Sequence, residues 1–301
     1  MRKQMMLAVL FVAAAASAAH AQAFSSGSTG ADGPLNITAD TTLPLPPTGI
    51  LNFTTITISP GFTLTFTKNA SNTPVVMLAT GDVLIGGSIV VSAGGLNIDG
   101  VYDSRIPGPG GYAGGGNAAP GGGPGGGTPS AEPAVRQGKW VGPLSLVPII
   151  GGSGGGDTGG GGGGAIVVAS SGKITVNGSI IANGVAVGGS GGAIRLVANS
   201  VEVSGTLQAY GCWTCGYYEG FNGSHGVIRI EAPTGQTKIV NPTLITPQPV
   251  VADPQCRAQP RRLAPRPDPA EHRVGCRAAG TSRLGKPKLR GRHAPAGDVA
   301  R

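Results

Sequence analysis

Ala165–Gly184 reads AIVVASSGKITVNGSIIANG, and Ala193–Gly211 reads AIRLVANSVEVSGTLQAYG. The second stretch starts 28 residues after the first and keeps its order: a β-run, a turn, a second β-run, an X-Gly turn and a third β-run. A looser copy precedes them at Val75–Gly95, VVMLATGDVLIGGSIVVSAGG, and a partial one follows at Gly226–Val240, GVIRIEAPTGQTKIV. A unit of this size cannot bury its apolar face alone and does so by stacking on its neighbours. The expected class is all-β, a right-handed parallel β-helix of about five coils.

Charged residues set which side of each run faces inward. Arg195 must point out, so Ile194 and Leu196 point in; Arg229 and Glu231 must point out, so Ile228 and Ile230 point in. Alignment then places Ile166/Val168 in the same inward row and, in the looser copy, Val76/Leu78. A second row is Val83/Ile85, Ile174/Val176 and Val201/Val203; a third is Ile89/Val91, Ile180/Ala182 and Leu207/Ala209. Upstream, Phe53, Ile56, Ile58, Phe62, Leu64 and Phe66 give one more coil, with a turn at Pro60-Gly61. Gly86, Gly178 and Gly205 are expected to supply positive φ at the bends.

Composition bounds the rest. Fifty-five glycines and 4% aromatic residues would ordinarily mean disorder, but here the glycines alternate with Val-, Ile- and Thr-rich runs. The net charge of +8 is concentrated at one end. Residues 255–301 hold 12 Lys/Arg against 3 Asp/Glu, whereas residues 22–254 hold 8 against 11. The body is mildly acidic, so the charge gives no reason to expect a nucleic-acid partner.

Residues 1–21 have the pattern of a signal peptide: Arg2 and Lys3, an apolar run over Leu7–Ala19, and Ala19-His20-Ala21 as the cleavage motif. The mature chain is expected to carry no transmembrane segment and to be exported, to the extracellular space or outer cell surface, or to the periplasm. Residues 22–50 read as an N-terminal cap, with edge runs at Leu35–Thr38 and Thr41–Leu45 stopped by Pro44, Pro46 and Pro47. Residues 51–250 carry the coils. Residues 96–164 read as a glycine-rich loop insertion, 11 of 14 residues over 151–164 being glycine. Trp140, Leu144, Leu146, Val147, Ile149 and Ile150 are expected to fold back on the coils, and the rest to be mobile. Residues 251–301 form a disordered basic tail, either a solvated arm or the product of a shifted reading frame.

The densest chemistry is Tyr210–His225, YGCWTCGYYEGFNGSH. Tyr210, Trp213, Tyr217, Tyr218 and Phe221 are the candidate ligand-binding residues, since amphipathic aromatic faces stack on sugar rings. The expected partner is a polysaccharide or cell-surface glycan. The same stretch could equally be an aromatic flap covering part of the coils. Cys212 and Cys215 are expected to form a disulfide in an exported chain. With His225 they supply three metal ligands and lack a fourth, so no metal and no cofactor are expected. Asp157 stands in a single, wrongly spaced glycine motif rather than in tandem calcium repeats. Among the outward charges, Glu202 aligns with Thr175 and Leu84 rather than with another acid. Arg195, Arg229 and Glu231 read as a surface ion group. No catalytic residue is assigned.

The runs GGGGGGAIVVASSGKITVNGSIIANG, GGSGGAIRLVANSVEVSGTLQAYG and HGVIRIEA resemble glycine-rich secreted bacterial parallel β-helix proteins of the adhesin and autotransporter-passenger type. The resemblance covers about residues 30–250 and implies an exported structural or adhesive cell-surface protein without catalytic activity. The alternative it leaves open is a carbohydrate-binding protein, or a polysaccharide lyase- or hydrolase-like β-helix, using the 210–225 loop. No translocator barrel is read in the chain.

Overall fold

The computed structural model describes residues 23–96, 102–185, 188–211, 222–240 and 244–254. Apart from one short helix, α1 (Pro133–Arg136), the regular elements are strands, and they pair almost entirely in parallel. The chain builds them in successive rungs. β1 (Leu35–Ile37) and β2 (Thr41–Pro44) make the first, partial rung. β3 (Ile50–Phe53), β4 (Ile56–Ile58) and β5 (Thr63–Thr67) follow, then β6 (Val75–Ala79), β7 (Val83–Ile85) and β8 (Ser88–Val90). Among the described residues the one antiparallel pair, β9 (Gly95–Leu96) with β10 (Tyr102–Asp103), opens the glycine-rich insertion. The rungs then resume with β11 (Ala165–Val176) and β12 (Ser179–Ile181), then β13 (Ala193–Val203) and β14 (Thr206–Gln208). β15 (Val227–Glu231), β16 (Thr237–Ile239), β17 (Leu244–Thr246) and β18 (Val250–Ala252) complete the described chain.

Each strand lies on its counterpart one rung away. Ile166 pairs with Val75 and Ile194, Ile174 with Val83 and Val201, and Ile180 with Ile89 and Leu207. β11 and β13 each serve two sides of the stack, with a register irregularity at Ser170–Lys173 where the chain bends. The result is a 10-stranded and a 6-stranded parallel sheet. Their inward rows form one core from Ile37 to Ile245. Each fully buried Val, Ile or Leu contributes roughly 1.5–3 kcal/mol, and the core is almost wholly aliphatic.

The inward rows over Val83–Val91, Ile166–Ala182 and Ile194–Ala209 match the sequence pattern residue for residue. The β6 row does not. Val75 and Met77 are fully buried, and Val76 and Leu78 lie on the outer face. VVMLA is apolar throughout and holds no charge to fix its phase; the pairing of Val75 with Ile166 fixes it instead.

The bend glycines also differ from expectation. Gly86, Gly178 and Gly205 do not have positive φ. Their constraint is steric: a Cβ at Gly178 would overlap the Gly87 carbonyl oxygen, and one at Gly205 would overlap that of Gly178. The stacked row is therefore Gly87–Gly178–Gly205. Gly164, Gly192 and Gly226 form an equivalent row at the start of β11, β13 and β15.

The glycine-rich insertion is packed rather than free. Gly151–Gly156 and Gly159–Gly164 are buried. Successive N–H groups of one stretch donate to different neighbours: Gly151 to Gly110, Gly152 to Gly163, Gly154 to Gly122, Gly155 to Gly160 and Gly156 to Arg136. Extended segments so close that a Cβ would meet carbonyl groups on several sides require glycine, as at the crowded axis of a collagen triple helix. Arg136 and Asp157 clasp this layer through a 2.7 Å ion pair. Leu146 is buried against Ala165 and Ala193, and Trp140 and Ile149 pack beside it. Leu144 and Val147, expected to fold back with them, are exposed.

Candidate functional site

The described part of the aromatic stretch is its stem. β14 ends at Gln208, and beyond it main-chain bonds such as Gly184 N–H to Tyr210 O at 2.8 Å continue the pairing, joined by the side-chain amide of Asn183. Asn183 donates from its main chain to Ser92 Oγ at 3.0 Å and from Nδ2 to Gln208 Oε1 at 3.1 Å. Its Oδ1 accepts the Tyr210 N–H at 2.9 Å. One residue thus links three rungs, its main chain on one side and its side-chain amide on the other, and the amide holds Tyr210 in place.

From there the two arms of the stretch close on each other. The Gly211 N–H donates to His225 Nδ1 at 3.4 Å. The Tyr210 and His225 rings meet edge to face, 5.3 Å between centroids at 62°. Gly211 and Gly223 touch so closely that a Cβ on Gly211 would overlap the Gly223 carbonyl. Ser224 fastens the returning arm to the insertion: its N–H donates to Gly138 O at 3.0 Å and its Oγ accepts the Trp140 N–H at 2.7 Å. With Nδ1 accepting, a neutral His225 carries its proton on Nε2 and, being exposed, can donate it outward. Tyr210, His225, Asn183 and Gln208 thus set an aromatic pair beside amide groups, the chemistry that suits hydroxyl-rich ligands. Of the sequence-predicted site, only Tyr210 is described. Trp213, Tyr217, Tyr218, Phe221 and the Cys212–Cys215 pair lie outside the described residues.

Two ion groups stand on the outer faces. Glu231 Oε1 accepts Arg195 Nε at 2.7 Å and Arg229 Nε at 2.8 Å, and the Glu231 side chain is only 6% exposed. Burial pushes its carboxyl up. The hydrogen bonds and charges of the two guanidinium groups outweigh that and hold it below the ordinary carboxylate range. Arg229 also donates to Leu144 O, tying the insertion to the stack. On the neighbouring face Glu202 binds Lys173 at 2.6 Å and Lys238 at 3.6 Å. The Lys173 hydrogen bond, then the Lys173 and Lys238 charges, lower its pKa. Glu202 is bound by cations from the rungs on both sides, and Glu231 by Arg195 from the neighbouring rung and by Arg229 of its own strand; the bonds between rungs fix register. Asp157 is likewise spent on Arg136 and on the Ala118 N–H.

The sequence reading found Arg195, Arg229 and Glu231 together but missed Lys173–Glu202–Lys238 and the Asn183–Gln208–Tyr210–His225 stem. The repeat offset held the signal: Lys238 is the β16 partner of Glu202, and Gln208 is the β14 partner of Ile181, two residues before Asn183. Among the described residues, no group of three or more His, Cys, Asp or Glu could hold a metal ion, and no helix is long and apolar enough to cross a membrane. No protein-family model, curated protein or solved structure matches the chain.

Proposed function

We propose that the chain is an exported structural or adhesive cell-surface protein. On this reading residues 1–21 are a leader, and the parallel rungs wind as a right-handed β-helix of about five full coils. Short parallel crossovers are right-handed in nearly all known cases. The observation that carries the reading is where the polar chemistry goes. Glu231, Glu202, Asp157 and Asn183 each bind groups of neighbouring segments, so the outer charges serve the scaffold. A rigid stack holding a packed glycine layer and a stem-closed aromatic segment is an arrangement for presenting a surface.

A second reading follows from the stem. Tyr210, His225, Asn183 and Gln208 favour a glycan-binding role for the 210–225 stretch, with Trp213, Tyr217, Tyr218 and Phe221 as stacking residues and a Cys212–Cys215 disulfide bracing it. A panel of polysaccharides assayed with the purified full chain, scored for retention and for released sugar ends, tests both. Retention lost in Trp213→Ala and His225→Ala supports the glycan role. Adhesion to cells or surfaces without glycan retention supports the purely structural one. Release of sugar ends would contradict both and make the chain an enzyme.

A further inference from the structure

Residues 24–32 do not run along the rungs; they cross them at the bend where β11 and β13 change direction. Phe24 is held by Asn199 on both main-chain groups: its N–H donates to Oδ1 at 2.7 Å, and its carbonyl accepts Nδ2 at 3.0 Å. The same Nδ2 reaches Ser171 O at 2.5 Å, so one amide joins the β13 and β11 rungs to the crossing segment. Ser26 lies one rung further on. Its N–H donates to Ser171 Oγ at 3.0 Å and its hydroxyl to Ala79 O at 2.7 Å. Ser28 reaches the next rung, its hydroxyl donating to Phe53 O at 2.8 Å. The Asp32 N–H then donates to Asn52 O at 2.8 Å, and Asp32 Oδ2 accepts the Asn52 N–H at 2.5 Å.

Short serine turns fold the crossing segment: the Ser28 N–H donates to Ser26 Oγ at 3.1 Å, the Gly30 N–H to Ser28 Oγ at 3.1 Å, and Gly27 has φ of 75°. The hydroxyls of Ser26 and Ser28 thereby both reach main-chain carbonyls of the rungs they cross. Phe24 also packs with the apolar strip of Leu78, Val167, Ala169 and Val197 on the outer face of the larger sheet.

We propose that residues 24–32 are a clasp that closes after the β13 rung has stacked, locks four rungs in register and covers that strip. The order follows from topology. Phe24 and Asn199 are 175 positions apart, and Asn199 reaches the bend only when β13 lies on β11 and β11 on β6. A contact formed after the folding transition state stabilises the native state against unfolding without hastening folding.

The test compares refolding and unfolding rates of the full chain with those of Asn199→Asp and Phe24→Leu. The first keeps the acceptor for Phe24 and loses both donors; the second keeps apolar bulk and loses the ring. Phe24 lies outside the strands and Asn199 is a half-buried residue of β13, so neither substitution changes an inward core residue. The clasp predicts unfolding faster by roughly fivefold in Asn199→Asp, with refolding changed by less than about twofold. Chymotryptic cleavage after Phe24 in the native protein should accelerate in parallel. Refolding slowed by the same factor, with unfolding unchanged, would mean the segment docks early and would overturn the order of events. No change in unfolding or in cleavage would overturn the lock itself.

Discussion

Gly205 lies on Gly178 so closely that a Cβ on the later residue would overlap the carbonyl oxygen of the earlier one. The contact is backbone on backbone and repeats from rung to rung, so neither side has a flexible atom to move. Gly205→Ala is expected to cost about 3 kcal/mol, at the upper end of what overpacking costs. Gly235 has positive φ of 82° and open space around it, so Gly235→Ala meets only the left-handed backbone penalty of about 1–2 kcal/mol. Urea midpoints of the two variants check the ordering; equal losses would mean the stacked row is not sterically closed.

Acidification should weaken the protein through Glu231. Its folded pKa lies below the ordinary value, so its contribution is complete above the unfolded-state pKa of about 4. That contribution disappears as the pH falls through the folded value. Glu231→Gln removes the carboxylate and leaves Arg195 and Arg229 facing a neutral amide, for a loss of about 3 kcal/mol at neutral pH. The variant should also show a flatter dependence of stability on pH between neutrality and acid. An unchanged slope would assign the acid sensitivity to other carboxylates.

The register separates adjacent residues sharply. Leu84 points outward between Thr57 and Thr175 and is 42% exposed, whereas Ile85 is fully buried. Leu84→Lys should shift stability by no more than about 0.5 kcal/mol. Ile85→Lys buries an unpaired ammonium and should abolish the cooperative melt. Circular dichroism melts of the pair decide the phase of β7.

What the sequence made legible follows from where it places charge. Arg195, Arg229 and Glu231 alternate with Ile and Leu, so the inward rows of β13 and β15 could be read directly, and the 28-residue offset carried them to β11. Val75–Ala79 offered no such marker, and its phase was misread by one residue. The glycine layer was not legible at all. Its order comes from main-chain N–H and carbonyl groups, and polyglycine carries no side-chain pattern from which those partners could be inferred. The stem at Tyr210 and His225 was half legible: the aromatic cluster stood out, but the amide of Asn183 that positions it did not.

The stack itself is tested most directly by joining two outward neighbours. Leu84 and Thr175 are parallel partners on adjacent rungs. Their α-carbons should lie about 4.8 Å apart, within the range a disulfide spans. The double substitution Leu84→Cys, Thr175→Cys should oxidise spontaneously to a link between those positions, identified by peptide mass, and raise the melting temperature. Thr175→Cys paired instead with Cys at Thr80, which is not its rung partner, should not link. Cross-linking of the second pair and not of the first would contradict the in-register parallel stack on which the account rests.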